Sequence, residues 1–190
     1  PKVLTEREAR ICLAALGEAS DTDICCFGYE DSWQRALRFN PKAAELTFEK
    51  IQAEADEIGL RLVTHGDDEW PTGLDDLKCH SPAVLALWIA GEPLILREAV
   101  CITGARAATA YGLQIAEQMA FELANKGHTI VTGLAHGIDA AALKGALAAR
   151  QEGGPAPVVV LASGIADHTP PRLQSQEDLV KQMLAEGTVL

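Results

Sequence analysis

Apolar and polar positions along the chain follow two different rhythms. The first 58 residues read as helical. Thr5-Glu6-Arg7-Glu8 forms a capping box ahead of an apolar run that ends near Leu16. Asp31 is placed to cap a short helix carrying Trp33, Ala36 and Leu37. Asn40-Pro41 puts a cap and a first-turn proline before a helix running to about Ile58, with Gly59 as its stop. Leu60-Arg61-Leu62-Val63 then predicts a short strand, and Asp67-Asp68-Glu69-Trp70-Pro71 a turn in which Pro71 holds Trp70 extended.

From about residue 83 the rhythm changes to short unbroken apolar runs. Val84–Ile89, Ala99–Thr103, Thr129–Thr132 and Val158–Leu161 suit strands covered on both faces, as in a parallel sheet. Helical segments separate the later runs. Tyr111–Lys126 places Ile115, Ala116, Met119, Ala120 and Leu123 on one stripe and ends at Gly127. Asp139–Arg150 is rich in alanine and leucine, and Leu173–Glu186 is a third helical segment. Alternating strands and helices imply right-handed crossovers and an α/β fold with a doubly wound parallel sheet. The division expected is a helical N-terminal domain over 1–58 and a sheet domain over 59–190. Gly187-Thr188-Val189-Leu190 resembles the start of a further strand, so the fold is expected to continue beyond it. The chain also opens without an initiating Met, which points to processing or trimming.

The 190 residues, 48% of them hydrophobic, suffice for one main core and a small appendage. No stretch approaches the roughly 18 apolar residues of a membrane span, and the charged start lacks a signal-peptide core. Cys12, Cys25, Cys26, Cys79 and Cys101 make an odd count without a C-x-x-C pair, which fits reduced thiols in a cytoplasmic protein. A metal site from Cys25-Cys26 and Cys79-His80 lacks the spaced ligand pairs of zinc sites, so none is expected. Cys101, within an apolar run, is expected to be a buried small hydrophobe. Trp33, Trp70 and Trp88 are expected as core or interface anchors.

The net charge of −11 excludes a broad basic face. Its distribution leaves room for a local one. Residues 1–90 hold 9 Lys and Arg against 17 Asp and Glu, and residues 91–190 hold 7 against 10. In that balanced half, three glycine-bearing loops follow three strands. They are Gly104–Gly112, Gly133–Asp139 and Ser163–Arg172. In a parallel sheet all three emerge at the carboxyl ends of strands, where ligands bind. Glycine lets backbone approach a ligand closely, a following helix offers N–H groups to an anion, and Arg106 adds a planar guanidinium suited to phosphate. Neither G-x-G-x-x-G nor the P-loop pattern is present, so a standard dinucleotide or nucleoside triphosphate cofactor is not expected. Thr109 can donate to a phosphate oxygen or cap the following helix. Tyr111 can stack on a base, although a tyrosine at a helix start is more often half-buried packing. His136 lies between the loop glycines and can meet a phosphate or simply face solvent. Asp139 is expected to cap its helix, and Lys144 to lie on a solvated face.

The G-x-R-x-x-T-x-Y-G run at Gly104–Gly112 and the T-G-x-A-x-G-I-D run at Thr132–Asp139 resemble the two signatures of the bacterial DNA-processing family DprA/Smf. Asp67–Pro71 with Leu74, Pro82, Leu85 and Gly91 is similar to the family's lead-in, and the likeness covers roughly residues 60–190. The resemblance implies an extended Rossmann-like fold, single-stranded DNA binding without catalysis, and loading of the RecA recombinase during natural transformation or DNA uptake. It also implies a homodimer. It marks Arg106 and Arg172 as lining the DNA pocket; with the glycine-loop chemistry above, the expected DNA or phosphate contacts are Gly104, Arg106, Thr109, Tyr111, Gly133, His136, Gly137, Gly164 and Arg172. Two other classes stay open at this point. One is a nucleotide-sensing Rossmann-like module. The other is a nucleotide ribosyl-bond hydrolase, whose P-G-G-x-G-T-x-x-E signature is absent and whose acid–base chemistry the carboxylate-poor loops disfavour.

Overall fold

The computed structural model describes residues 4–17, 21–79, 84–161 and 177–190. They group into two compact units, Pro1–Trp88 and Ile89–Leu190.

In the first unit, helix α1 (Glu6–Leu16) starts at the expected capping box. The Thr5 side chain accepts from the Glu8 N–H, and the Glu8 carboxylate accepts from the Thr5 N–H at 2.7 Å. Gly17 closes it in the left-handed conformation. Helix α2 (Asp21–Phe39) contains a break at Gly28, where φ is 73°. The segment carrying Trp33 therefore starts from this break, and Ser32 Oγ bonds back to the Gly28 carbonyl at 2.6 Å. Asp31 lies inside the helix and is not its cap, because only glycine adopts the turn three residues earlier without strain. The single helix expected from Asn40 to Ile58 is two elements. A 3-10 turn, Pro41–Glu45, ends at Leu46, and α3 (Phe48–Glu57) restarts under Thr47, whose side chain accepts from the Lys50 N–H at 3.2 Å. Threonine competes for the backbone well enough to reset the helix there. Gly59 ends α3 as expected, with the Leu60 N–H bonded to the Ala55 carbonyl at 2.8 Å.

Strand β1 (Arg61–Val63) follows. The Asp67 carboxylate shapes the next turn by accepting from the Thr64 N–H at 2.8 Å and from Arg7 Nε at 3.3 Å. Trp33 and Trp70 are buried, and Arg10 lies buried with its guanidinium 3.9 Å from the Tyr29 ring centroid. Cys12 is fully buried, and desolvation, with Glu49 and Glu8 nearby, pushes its thiol up to about 11. A 3-10 turn, Thr72–Cys79, completes the unit's described elements.

The second unit is α/β. Its elements run β2 (Leu87–Gly91), β3 (Val100–Cys101), α4 (Ala110–Asn125), β4 (Ile130–Thr132), α5 (Ile138–Gln151), β5 (Val158–Val159), α6 (Glu177–Glu186) and β6 (Thr188–Val189). Along the sheet the order is β2-β6-β5-β4-β3. β3, β4, β5 and β6 pair in parallel, and β2 joins β6 antiparallel. The arrangement is Rossmann-like and mostly parallel; the later apolar runs give its parallel strands, whereas the first, Val84–Ile89, gives β2, which starts at Leu87 and pairs antiparallel. The final residues do form a strand, β6, which sits between β5 and β2.

The packing of α4 departs from the expected stripe. Its buried residues are Ala116, Ala120 and Ala124, whereas Ile115 and Met119 are exposed. The cause is the closeness of α4 to α5. A side chain at Gly145 in α5 would collide with the Glu117 carbonyl of α4. Backbones this near admit only alanine and glycine between them, so the longer residues one position away turn outward. Ala142, Ala146 and Ala149 complete the seam over Ile130. Cys101 is likewise exposed rather than buried, because β3 stands at the end of the strand order and not in its middle.

Candidate functional site

Two of the three glycine loops lie side by side at the carboxyl ends of adjacent parallel strands. The first follows β3 and the second follows β4. Thr132 Oγ1 donates to the Ile102 carbonyl at 2.7 Å and ties the strand ends just below them. The third loop, with Gly164 and Arg172, lies outside the described residues.

The second loop holds the first in place. The Ile138 N–H donates to the Ala105 carbonyl at 3.2 Å. Gly137, at φ 86° and ψ −128°, lies so close to the Ala105 and Arg106 carbonyls that a Cβ would collide with both. Glycine is required here twice over, by conformation and by space. Gly104 presses on the Ile138 side chain from the other side, where a Cβ would come within 2.9 Å of Cγ1.

Asp139 is buried, and Gly137, not Asp139, is the N-cap of α5; that helix has no side-chain cap bond. The expectation that Asp139 caps its own helix is therefore corrected. Its Oδ1 accepts instead from Thr103 Oγ1 at 2.9 Å and from the Gly104 N–H at 3.2 Å, both in the first loop. The carboxylate sits in the first turn of α5, where the helix dipole favours it. That helix end is thus occupied from within, by its own carboxylate and by the Ala105 carbonyl.

The end of α4 is different. Thr109 is its N-cap, accepting from the Gly112 N–H at 3.1 Å, and the first backbone bond of the helix runs from the Leu113 N–H to the Thr109 carbonyl. Ala110 and Tyr111 precede that bond, and their N–H groups have no intrahelical acceptor. Arg106 is exposed on the loop just before, and over residues 99–116 it is the sole charged side chain. Tyr111 is 74% exposed, so it is not half-buried packing, and its ring is open to solvent. His136 is exposed on the second loop, Gly133 lies against the Asp139 carboxylate, and Lys144 is exposed further along α5. The two loops and the start of α4 make a rim whose exposed charge over residues 99–116 is Arg106 alone. It offers N–H donors, one guanidinium and one aromatic face. Sequence reasoning missed Thr103 and the true role of Asp139. The signal available was a buried-type carboxylate on a loop with a hydroxyl at the end of the preceding strand.

A separate cavity of about 480 Å³ opens at the opposite ends of the strands, lined by Glu92, Arg97, Asn125, Arg150 and Glu152 among others. Arg150 faces Glu92 at 3.9 Å, and Asn125 Nδ2 donates to Glu152 at 3.3 Å. It shares no residue with the glycine rim. Among the described residues no group of three or more His, Cys, Asp or Glu side chains could hold a metal ion. No described helix is long and apolar enough to cross a membrane.

Comparison with known proteins gives a consistent result. The model of the family described as DNA recombination-mediator protein A matches residues 61–190. A DNA processing protein DprA from Mycobacterium tuberculosis is 40% identical over 115 residues; the match takes in 52% of this chain and 30% of that protein. The chain therefore spans about a third of the length of the curated relatives it matches. The crystal structure of DNA processing protein A from Streptococcus pneumoniae superposes with a TM-score of 0.68 at 21% identity, over 99% of this chain and 67% of that one. A structure of DNA processing protein A from Helicobacter pylori, described for its single-stranded DNA binding mode, superposes with a TM-score of 0.54 at 24% identity, over 68% of this chain and 54% of that one.

Proposed function

Since the chain belongs to the DNA recombination-mediator protein A family, we propose that its glycine rim binds single-stranded DNA through the phosphate backbone. The observation that carries this reading is the exposed Arg106 beside the start of α4, on a loop held from behind by the second loop. A phosphate placed there meets a guanidinium fork and first-turn N–H groups. Tyr111, one turn away on the same helix end, supplies a face on which any base can stack, which suits a binder indifferent to sequence.

The rim binds and does not catalyse. Asp139 is the one carboxylate of the two described loops, and it is committed to Thr103 and Gly104. Buried at 5% exposure, it lies out of reach of a strand in solvent, which supports a binding role over acid–base chemistry. The H. pylori relative is described as a single-stranded DNA binder, which supports the same ligand here. On this reading the protein works in the cytoplasm, as a mediator between a single strand and the RecA recombinase, and a second copy of the chain is a further partner to test. Gly164 and Arg172 enter this reading from the sequence alone, since they lie outside the described residues.

Replacing Arg106 with Glu tests the proposal. Binding of a fluorescein-labelled oligo-dT strand is expected to vanish while the circular dichroism spectrum and melting temperature stay those of the wild type. Wild-type affinity is expected to fall steeply between low and moderate salt, as counterion release requires. Full binding by the Arg106→Glu protein under conditions that saturate the wild type overturns the proposal.

A further inference from the structure

We infer that Asp139 is a positioning residue for the DNA-contacting loop, holding its start so that the Arg106 guanidinium is presented ready-placed to a phosphate. The inference rests on the reading of that loop given above.

The geometry is that of a short span fixed at both ends. Oδ1 of Asp139 accepts from Thr103 Oγ1 and from the Gly104 N–H. The next residue, Ala105, is held through its carbonyl by the Ile138 N–H, from the residue beside Asp139. The loop is held again at Thr109, which caps α4. Only Arg106, Ala107 and Ala108 lie between the two anchors. The anchor at Ala105 thus stands one residue before Arg106.

Asp139 is suited to this task and to little else. It is 5% exposed, so it does not reach a strand in solvent, and a negative charge on the surface would repel one. It does not cap its own helix. Gly133 faces its second oxygen, and a side chain at that position would press into the carboxylate. Glycine at 133 therefore leaves the room that Asp139 occupies. A carboxylate accepting two hydrogen bonds fixes two donors with one group, and its charge strengthens both. Holding the loop before the ligand arrives removes an ordering cost that each binding event would otherwise carry.

The test compares Asp139→Ala, Asp139→Asn, Thr103→Val and Arg106→Ala in the full chain. Affinity for labelled oligo-dT is measured well below each variant's melting temperature, together with amide hydrogen exchange at Gly104. Asp139→Ala is expected to weaken binding about tenfold or more, since it leaves two donors without their acceptor. Gly104 is expected to exchange faster while α5 amides stay protected. Asn keeps the accepting oxygen without the charge, so Asp139→Asn is expected to restore affinity to within about threefold of wild type. Thr103→Val removes one of the two bonds and is expected to fall between.

Wild-type affinity in folded Asp139→Ala, with Arg106→Ala impaired, overturns the inference and leaves the DNA reading standing. Wild-type affinity in Arg106→Ala overturns the DNA reading itself. Should Asp139→Ala fail to fold, Thr103→Val with wild-type affinity and wild-type exchange at Gly104 overturns the inference. Asp139→Asn as weak as Asp139→Ala, with Gly104 exchange unchanged, does so as well.

Discussion

The two glycine loops of the rim have similar compositions and opposite jobs. The first, after β3, is exposed from Thr103 to Ala107 and carries Arg106 outward. The second, after β4, is turned inward. Its Gly137 fits against the carbonyls of the first loop, and its Gly133 makes room for Asp139. One loop presents the charge and the other supports it. Glycine content alone does not distinguish a loop that meets a ligand from one that meets its neighbour. The surroundings of each missing Cβ do.

The contrast is sharpest in the glycines themselves. Gly137→Ala is expected to cost more than about 3 kcal/mol or to prevent folding, because a positive φ and a collision with two carbonyls act together. Gly104→Ala meets the branched base of the Ile138 side chain, with no carbonyl and no positive φ involved, and is expected to cost about 1–3 kcal/mol. Urea unfolding of the two variants checks the difference, and equal costs would break the comparison. Next in size is Tyr111→Ala, on the presenting side. It is expected to lower affinity for oligo-dT by about 1–3 kcal/mol, as loss of a stacking face does. Its stability should stay within about 0.5 kcal/mol of wild type, because the ring is exposed. Unchanged affinity would remove Tyr111 from the rim. The smallest effect belongs to Thr109→Ala, which removes the α4 cap and is expected to cost about 1 kcal/mol of stability in thermal melts. A drop in DNA affinity much larger than that loss would show that the hydroxyl also meets the strand.

What could be read from the residues and what could not divides by distance along the chain. The Thr5–Glu8 box, the Gly59 and Gly127 stops and the extents of α4 and α5 depend on residues a few positions apart, and each is found where its local chemistry places it. The break at Thr47 escaped because a first-turn proline at 41 is an equally good local start. The inward face of α4 depends on Gly145, some thirty residues away, which sets how near the helices come. The exposure of Cys101 depends on where β3 falls in the strand order, which periodicity does not encode. For the rim, the Arg106 loop and both motifs were visible as residue types. Asp139 was misread because a carboxylate at a helix start is ordinarily a cap, and its actual partners, Thr103 and Gly104, lie 36 and 35 residues back.

The placing of β6 has a consequence for how the molecule is made. Ala90 of β2 pairs with Val189, and the Glu92 N–H bonds to the Gly187 carbonyl at 2.9 Å. As the chain leaves the ribosome, β2 emerges early and waits nearly a hundred residues for the strand that completes it. Closing so long a loop is slow, and an unpaired strand edge is sticky in the meantime. Translation that stalls before residue 188 thus leaves β5 and β2 without the segment that joins them, and nascent chains released there are expected to be substrates for chaperones rather than smaller working proteins.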